Sequence, residues 1–459
     1  MRWFSECYQN RKSCIIITVL FLGCVCFYCT SRKHHIQQIE FRSRTSPRLP
    51  LRGDSQGDRQ KLELLNTFAS KCLHHGIPIF VIEPSVLQHL LSAKESEPPC
   101  ILCSAGDVIS LGVFGADWDK GVYIFLVAGI SPDLGIVLNE VTAPDPRLLS
   151  LEWITVPSVP THYLIRQSGS LPLHLVVFYE RENNYWWHSS LEPSTTSNSQ
   201  IFHGFNTTFG NSAGAYDRFD VRLTTVDGIW LYLPHPVGEF LVQMPRSKFI
   251  ECDYQGAQTY LSKNPPKRSG ITSHGAEVLY QAKRALDPLG VPFWLSFGTC
   301  FGWYRQCGFI PYTGDIDIEI PIQRYSAGIL PAFLKVGFQL LHVKGKISDS
   351  FQMAFKAHHI HIDVYFVYEE KTYLWLGSTD AFSGQKYKYI FPKFDTCWTD
   401  FMGCRLRIPC PTLPYITAAY GKNWNTSVKQ WDWKGSSSNV QKNGVWPKKE
   451  WQTVIQITY

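Results

Sequence analysis

The sequence predicts an α+β protein carried on a membrane anchor helix, with an N-terminal α/β stem domain and a second domain built on a small mixed sheet. Three observations predict it. Residues 14–30 form an uncharged apolar run. Residues 61–256 hold short apolar runs separated by Gly, Pro and Asp. From residue 271 onward, helix-periodic and strand-periodic segments alternate before giving way to strands. With 459 residues the chain is too long for one ordinary domain. Charged residues are 18% and hydrophobic residues 44%, a balance that builds packed cores and excludes a disordered chain. The net charge of +6 is spread along the sequence. No Lys/Arg-dense face or recognisable module accompanies it, so no nucleic-acid partner is expected.

Residues 1–13 read as a cytoplasmic tail and 14–30 (CIIITVLFLGCVCFYCT) as a transmembrane signal anchor, with Arg11 and Lys12 before it and Arg32 and Lys33 after. Its 17 residues barely span a hydrocarbon core of about 30 Å. The basic flanks argue against a buried core helix. The Cys- and Tyr-rich end argues against a cleaved signal peptide. A short span suits the thinner membranes of the early secretory pathway. Basic residues on both sides leave orientation to other features. Nine cysteines follow the anchor, and two sequons begin at Asn206 and Asn425, so the body is expected in the lumen as a single-pass type II protein. An odd cysteine count leaves at least one thiol free or paired between chains. Cys100-x-x-Cys103 has no second half of a zinc site and reads as a disulfide or free thiols. Cys7, Cys14, Cys24, Cys26 and Cys29 lie in or near the anchor, where palmitoylation is open to them.

Residues 31–60 are polar and basic, a stem linker. The N-terminal domain is placed at 61–256, with strands expected at 77–82, 108–113, 122–127 and 173–178. His174 sits on an apolar strand and is expected to be a satisfied core histidine. Asn183 to His188 (NNYWWH) is expected to be an aromatic loop that packs between domains or, alternatively, offers a platform to glycans. Residues 257–270 are polar and contain Pro265-Pro266, marking the boundary with a second domain at 271–459. There, Ser273 is expected to cap a helix to about Leu286, with Val278, Leu279, Ala282 and Leu286 on its buried face and Gly290 as its stop. A strand at 291–295, a helix at 298–307, a strand at 311–320 and a helix at 326–334 follow. Further strands are expected near 338–341, 351–355 and 360–366.

The chemistry concentrates in Gly314-Asp315-Ile316-Asp317-Ile318-Glu319. Alternate strand residues share a face, so Asp315 and Asp317 project together, with Glu319 on the same side. Adjacent carboxylates repel unless something neutralises them, and a hard divalent cation does so. Asp363 is the lone carboxylate of the apolar strand His361-Ile362-Asp363-Val364-Tyr365-Phe366 and needs a partner: the shared metal, or a Lys or Arg. Leu295-Ser296-Phe297-Gly298-Thr299 leads a strand into a glycine turn and a helix whose free N–H groups suit a phosphate, unless it is an ordinary strand–helix turn. Strand, glycine turn, helix, Asp-x-Asp strand and a later lone-Asp strand together make the plan of a nucleotidyltransferase-like catalytic domain.

The stretch 298–305 (GTCFGWYR), followed by Ile310-Pro311 and Asp315-x-Asp317, resembles the signature of the LicD-type phosphotransferases. Trp431-Asp432-Trp433-Lys434, Tyr420-Gly421-x-x-Trp424, Val291 to Leu295 and Phe391 to Phe394 extend the resemblance, which is nearest to the fukutin group and covers the whole chain. Glu319 and the Cys100-x-x-Cys103 spacing depart from the pattern. The resemblance implies a Golgi-membrane ribitol-5-phosphate transferase. The implied donor is CDP-ribitol, the implied cofactor Mg²⁺ or Mn²⁺. The implied acceptor is an N-acetylgalactosamine of the O-mannosyl core glycan of α-dystroglycan, with other O-mannosyl glycan transferases as possible partners. In that reading Asp315 and Asp317 are metal ligands, and Asp363 is a third ligand or the base that takes the acceptor proton. Gly298 and Thr299 cradle the donor phosphates. Arg305 is a phosphate clamp or one half of a surface ion pair. Lys386, Lys388 and Lys393 are a solvated face or a hold for a phosphorylated acceptor. Trp431 and Trp433 stack on a base or sugar or close the core. Two rival functions are a nucleotidyltransferase that makes an activated nucleotide and a non-catalytic lumenal scaffold for glycosyltransferases.

Overall fold

The computed structural model describes residues 56–92, 100–106, 108–118, 136–149, 156–168, 171–182, 184–191, 207–265, 271, 274–426 and 431–458. The expected anchor, most of the stem, the strand at 122–127, the Ser273 cap and the Asn206 sequon lie outside these residues. Among the described residues no helix is long and apolar enough to cross a membrane. The last five positions assigned to the stem already belong to helix α1 (Gln56–His74).

A first nine-stranded sheet holds β1 (Phe80–Val81), β2 (Ile109–Phe114), β3 (Ile136–Pro144), β4 (Ser158–Gln167), β5 (Leu173–Arg181), β6 (Tyr185–His188), β7 (Gly214–Asp217), β8 (Asp220–Val226) and β9 (Ile229–His235). Its main path runs β3-β4-β5-β2-β1-β9-β8. Only the β1–β9 and β2–β5 pairs are parallel, so this region is a mixed, largely antiparallel layer with helices α1, α2 (Pro84–Ser92) and α3 (Val237–Gln243), not a run of βαβ units. The expected aromatic loop is β6 instead. Tyr185, Trp186, Trp187 and His188 are all buried, because both faces of this short strand are covered. That leaves no aromatic platform for a glycan there. His174 is a core histidine: it is buried and its Nε2 lies 3.0 Å from His162 Nδ1.

The polar stretch after residue 253 is not a linker at first but helix α4 (Tyr254–Lys263), capped by Asp253, whose side chain accepts from the Gly256 N–H. Helix α5 (Gly275–Leu286) buries Val278, Leu279, Ala282, Ala285 and Leu286 on one stripe. One 3₁₀ turn later Gly290 adopts φ 63°, the left-handed conformation that closes such an end. The second sheet is also nine-stranded, larger than the small sheet expected. It comprises β10 (Trp294–Leu295), β11 (Asp315–Pro321), β12 (Gln339–Lys346), β13 (Asp349–Ala357), β14 (Ile360–Glu369), β15 (Tyr373–Thr379), β16 (Gln385–Pro392), β19 (Val440–Val445) and β20 (Ile455–Ile457). A separate hairpin, β17 (Asp395–Phe401) and β18 (Cys404–Cys410), packs beside it. Helices α6 (Phe297–Gln306), α7 (Ile329–Lys335), α8 (Thr412–Tyr420) and α9 (Trp451–Val454) complete this half.

Each sheet has its own hydrophobic core. The β17–β18 hairpin joins them: Trp398 packs on the first core while Phe401, Leu406 and Ile408 are buried in the second. Disulfides link Cys100–Cys103, Cys252–Cys307 and Cys397–Cys410. Cys72, Cys300 and Cys404 are buried free thiols.

Candidate active site

Strands β11 and β14 run parallel and in register, so Asp317 pairs with Asp363 and Ile316 with Ile362. The isoleucines go into the core, and the carboxylates go to the opposite face. One carboxylate oxygen each from Asp315, Asp317 and Asp363 lies within 4.8 Å of the other two. The cluster is graded in exposure: Asp315 is exposed, Asp363 half-buried and Asp317 buried.

Burial raises the Asp317 pKa well above the ordinary carboxylate range, and the charges of Asp315 and Asp363 add to it. The Gly298 N–H, which donates to Asp317 Oδ2 at 3.2 Å, opposes the shift. Burial likewise pushes Asp363 up to about 7, reinforced by Asp315 and countered by Lys344. Among the described residues no Lys, Arg or His forms a salt bridge with any of the three. Three converging carboxylates with so little positive charge beside them are an oxygen-only donor set that fits Mg²⁺ or Mn²⁺.

Helix α6 begins at this cluster. Ser296, extended at its N-cap, donates its hydroxyl to Glu319 Oε1 at 2.6 Å, while its backbone N–H reaches Asp317 O at 3.0 Å. Phe297 follows at φ 32°, a strained left-handed value, with its N–H held by the Tyr415 hydroxyl at 3.1 Å. Gly302 lets the chain fold back: a Cβ there would stand 2.5 Å from the Gly308 carbonyl oxygen.

The predicted site residues separate in their roles. Gly298 lines the cavity, but its N–H is committed to Asp317. Thr299 does not face the cavity. It is buried, and its hydroxyl accepts the Asp317 N–H at 2.9 Å, fastening the helix to β11 instead of cradling a phosphate. Glu319 leaves the acidic cluster altogether. It accepts from Trp294 Nε1 at 2.5 Å, Ser296 Oγ at 2.6 Å and Tyr415 OH at 2.7 Å. Arg305 is no surface ion pair. It is buried against Tyr260 and Phe301, its charge 4.7 and 4.4 Å from their ring centres, and it donates to Gln306.

Lys386 and Lys393 are ion-paired with Asp349 and Glu369, and Lys388 lies over Tyr373 and Trp375. Strand alternation puts Tyr387 and Tyr389 on the face opposite Lys386 and Lys388, Lys393 lies past the end of β16, and none of the three lysines lines the cavity.

The acidic cluster opens into a cavity of about 420 Å³ lined by Asp315, Asp317 and Arg305 at its polar parts and by a wall of aromatic side chains. Trp431 and Trp433 are on that wall and half exposed, with Trp431 5.0 Å from the Tyr420 ring. Tyr365, Tyr389 and Phe297, which sequence reasoning passed over, line it too. Tyr365 was in principle readable, since it stands two residues beyond Asp363 on one strand. Tyr389 was not, since its approach to Asp317 is made by the sheet.

Residues 18–272 match the family model for the fukutin N-terminal region, and residues 290–411 match that for the LicD/FKTN/FKRP nucleotidyltransferase domain. The mouse protein named ribitol-5-phosphate transferase FKTN is 38% identical over 83% of this chain and 85% of its own length. The chain belongs to the fukutin family. The human protein of the same name is 37% identical over 87% of this chain and 89% of its own. In the fukutin-family chain the acidic strand, the α6 turn and Asp363 all fall inside the nucleotidyltransferase match. Among solved structures, the lincomycin-bound adenylyltransferase LnuA covers 29% of the chain and 78% of its own at 16% identity, with a TM-score of 0.21, too low to indicate a shared fold.

Proposed function

We propose that this fukutin-family chain transfers ribitol 5-phosphate from CDP-ribitol to a glycan hydroxyl. The acceptor would be the N-acetylgalactosamine of the O-mannosyl core glycan of α-dystroglycan, and the enzyme would work at the Golgi membrane with its catalytic half in the lumen. The observation that carries the reading is the convergence of Asp315, Asp317 and Asp363, the first two of which line an aromatic-walled cavity. The relatives' name supplies the group transferred. The three disulfides among the described residues accord with an oxidising lumen.

In this reading the acceptor hydroxyl attacks the β-phosphorus of CDP-ribitol, a new phosphorus–oxygen bond forms, the bond to CMP breaks, and the hydroxyl proton passes to solvent. Asp315, Asp317 and Asp363 would hold Mg²⁺ or Mn²⁺, which supplies neutralising charge for the phosphates. Asp363 is not among the cavity-lining side chains, and that favours its role as ligand over its role as base. Arg305, with its guanidinium packed on two rings and free of any carboxylate among the described residues, is placed to hold a donor phosphate. Tyr389, Tyr420, Trp431 and Trp433 offer faces for the cytosine ring or the sugars and exclude water. Positioning and charge compensation then carry most of the rate.

The test is incubation of the full chain with CDP-ribitol, Mn²⁺ and a glycopeptide ending in N-acetylgalactosamine, read by mass. One added ribitol phosphate and stoichiometric CMP are expected, with turnover about 10³-fold lower for Asp317→Asn. That variant also relieves carboxylate repulsion, so its metal-free unfolding midpoint is expected to be no lower than the wild type's. Unchanged transfer by Asp317→Asn would count against catalysis. Diphosphate release from CTP and ribitol phosphate would point to synthesis of the activated nucleotide instead.

A further inference from the structure

Outside the acidic cavity, the described residues contain one other grouping of metal-ligating side chains: His274, Glu277 and His358. His274 immediately precedes α5, and Glu277 is in its first turn. His358 stands in the two-residue turn between β13 and β14, whose last paired residues are Ala357 and Ile360. One ligand atom from each of the three lies within 4.8 Å of the other two. The His274 and His358 rings are parallel within 7°, with centres 5.1 Å apart.

His358 Nε2 is 3.4 Å from Glu277 Oε1. That is long for an N–H···O hydrogen bond, which favours about 2.9–3.0 Å. It matches the edge of a tetrahedron about Zn²⁺, where ligands at about 2.0–2.1 Å from the ion stand about 3.3–3.4 Å from one another. The turn itself is unusual. His358 and His359 have φ of 48° and 66°, values for which a hairpin normally uses Asn-Gly. Both His358 and Glu277 are exposed, at 39% and 50%, so an ion reaches them without any opening of the fold.

We propose that His274, Glu277 and His358 bind a Zn²⁺ ion, with water in the fourth position, and that the ion clips the β13–β14 turn to the start of α5. Two imidazoles and one carboxylate suit zinc, whereas the all-carboxylate cavity suits Mg²⁺ or Mn²⁺, so the chain would sort the two ions between two sites. An exposed three-ligand site exchanges with the surrounding pool, making the clip reversible. Its position gives it a consequence: His358 is five residues before Asp363 on the strand that completes the acidic cluster. The site goes beyond the transfer reaction and stands whether or not that reaction is the right one.

The test uses the full chain carrying Asp315→Asn and Asp317→Asn, which disarms the cavity, and in parallel the wild-type chain saturated with Mg²⁺. Both are stripped with chelator and titrated with Zn²⁺. The readouts are bound zinc per chain after dialysis and the thermal unfolding midpoint. One Zn²⁺ per chain and a midpoint rise of about 2 °C or more are expected. Co²⁺ in place of zinc should give the visible absorption of a low-coordinate site. His358→Asn suits the left-handed turn while removing the imidazole, and Glu277→Gln keeps the side-chain shape. Each should abolish the zinc response and leave the metal-free midpoint unchanged. No stoichiometric zinc in either chain, or full binding by His358→Asn, overturns the proposal. Neither readout depends on transfer activity, so this result and the transferase result are independent.

Discussion

At the residue scale, Asp317 and Glu319 show how two carboxylates on one face of one strand come to different ends. Asp317 is left to repel Asp315 and Asp363. Glu319, pushed up to about 7 by burial, is held down by three donors. It joins β10, the N-cap of α6 and α8 at one point. Glu319→Ala should strand the Trp294 N–H and one of the Ser296 and Tyr415 hydroxyls, which stand 3.1 Å apart and can pair only one of their protons with each other. The cost of buried unpaired donors is about 1–3 kcal/mol each, so a loss of about 3 kcal/mol or more is expected in urea unfolding. A loss below about 1 kcal/mol would mean the cluster is reorganised by water. The acidic triad was legible because strand alternation is local and a lone Asp in an apolar strand stands out. The fate of Glu319 was not, because Tyr415 lies 96 residues away in sequence.

At the element scale, the neighbouring strands β4, β5 and β6 carry His162, His174 and His188 into one buried cluster. Burial lowers the pKa of His174 to about 3 and of His188 to about 4, and that of His162 well below normal. Each folded value lies beneath the unfolded value of about 6.5, so below that pH the unfolded chain binds more protons. The stability is therefore full above about pH 6.5 and is lost as pH falls toward 4 and 3. At pH 5 His174 and His188 should each cost about 2 kcal/mol. His188→Phe should make the fall of the unfolding midpoint between pH 7 and pH 5 shallower, and an unchanged slope would refute the idea. The strand at 173–178 was legible as a continuous apolar run, and its observed extent is Leu173–Arg181. Strand β6 was not, because its turn-like Asn pair and its aromatics read equally well as a loop until both flanking strands are present.

At the scale of the whole molecule, the first sheet meets the β17–β18 hairpin and the segment before α4 through charged pairs whose arginines are buried. Arg181 on β5 pairs with Glu251, the Tyr185 hydroxyl donates to Asp400 at 3.3 Å, and Arg405 pairs with Asp217. Trp398 is covered by Arg405 and Arg407, 4.4 and 3.8 Å from its ring centre. The Cys252–Cys307 disulfide ties the approach to α4 to the end of α6. Removing one partner of a buried pair costs more than the pair contributes, because the remaining charge stays desolvated. Glu251→Gln should therefore lower stability by about 3 kcal/mol, in one cooperative transition shared by both halves. Two separate transitions, or an unmoved midpoint, would show that the halves fold independently.

The sequence by itself determined the acidic triad, the glycine turn beside it, the stripe that buries α5 and the family to which the chain belongs. All of these rest on spacing within a few residues or on motifs read in line. Only the tertiary structure decided that Thr299 fastens a strand, that Glu319 supports the helix start, that the lysines of β16 turn away and that the cavity wall is aromatic. Those outcomes depend on which side chains from distant segments arrive at the same buried point. Periodicity gives the face on which a side chain emerges, and the partner it meets is set by how the sheets, hairpin and helices pack.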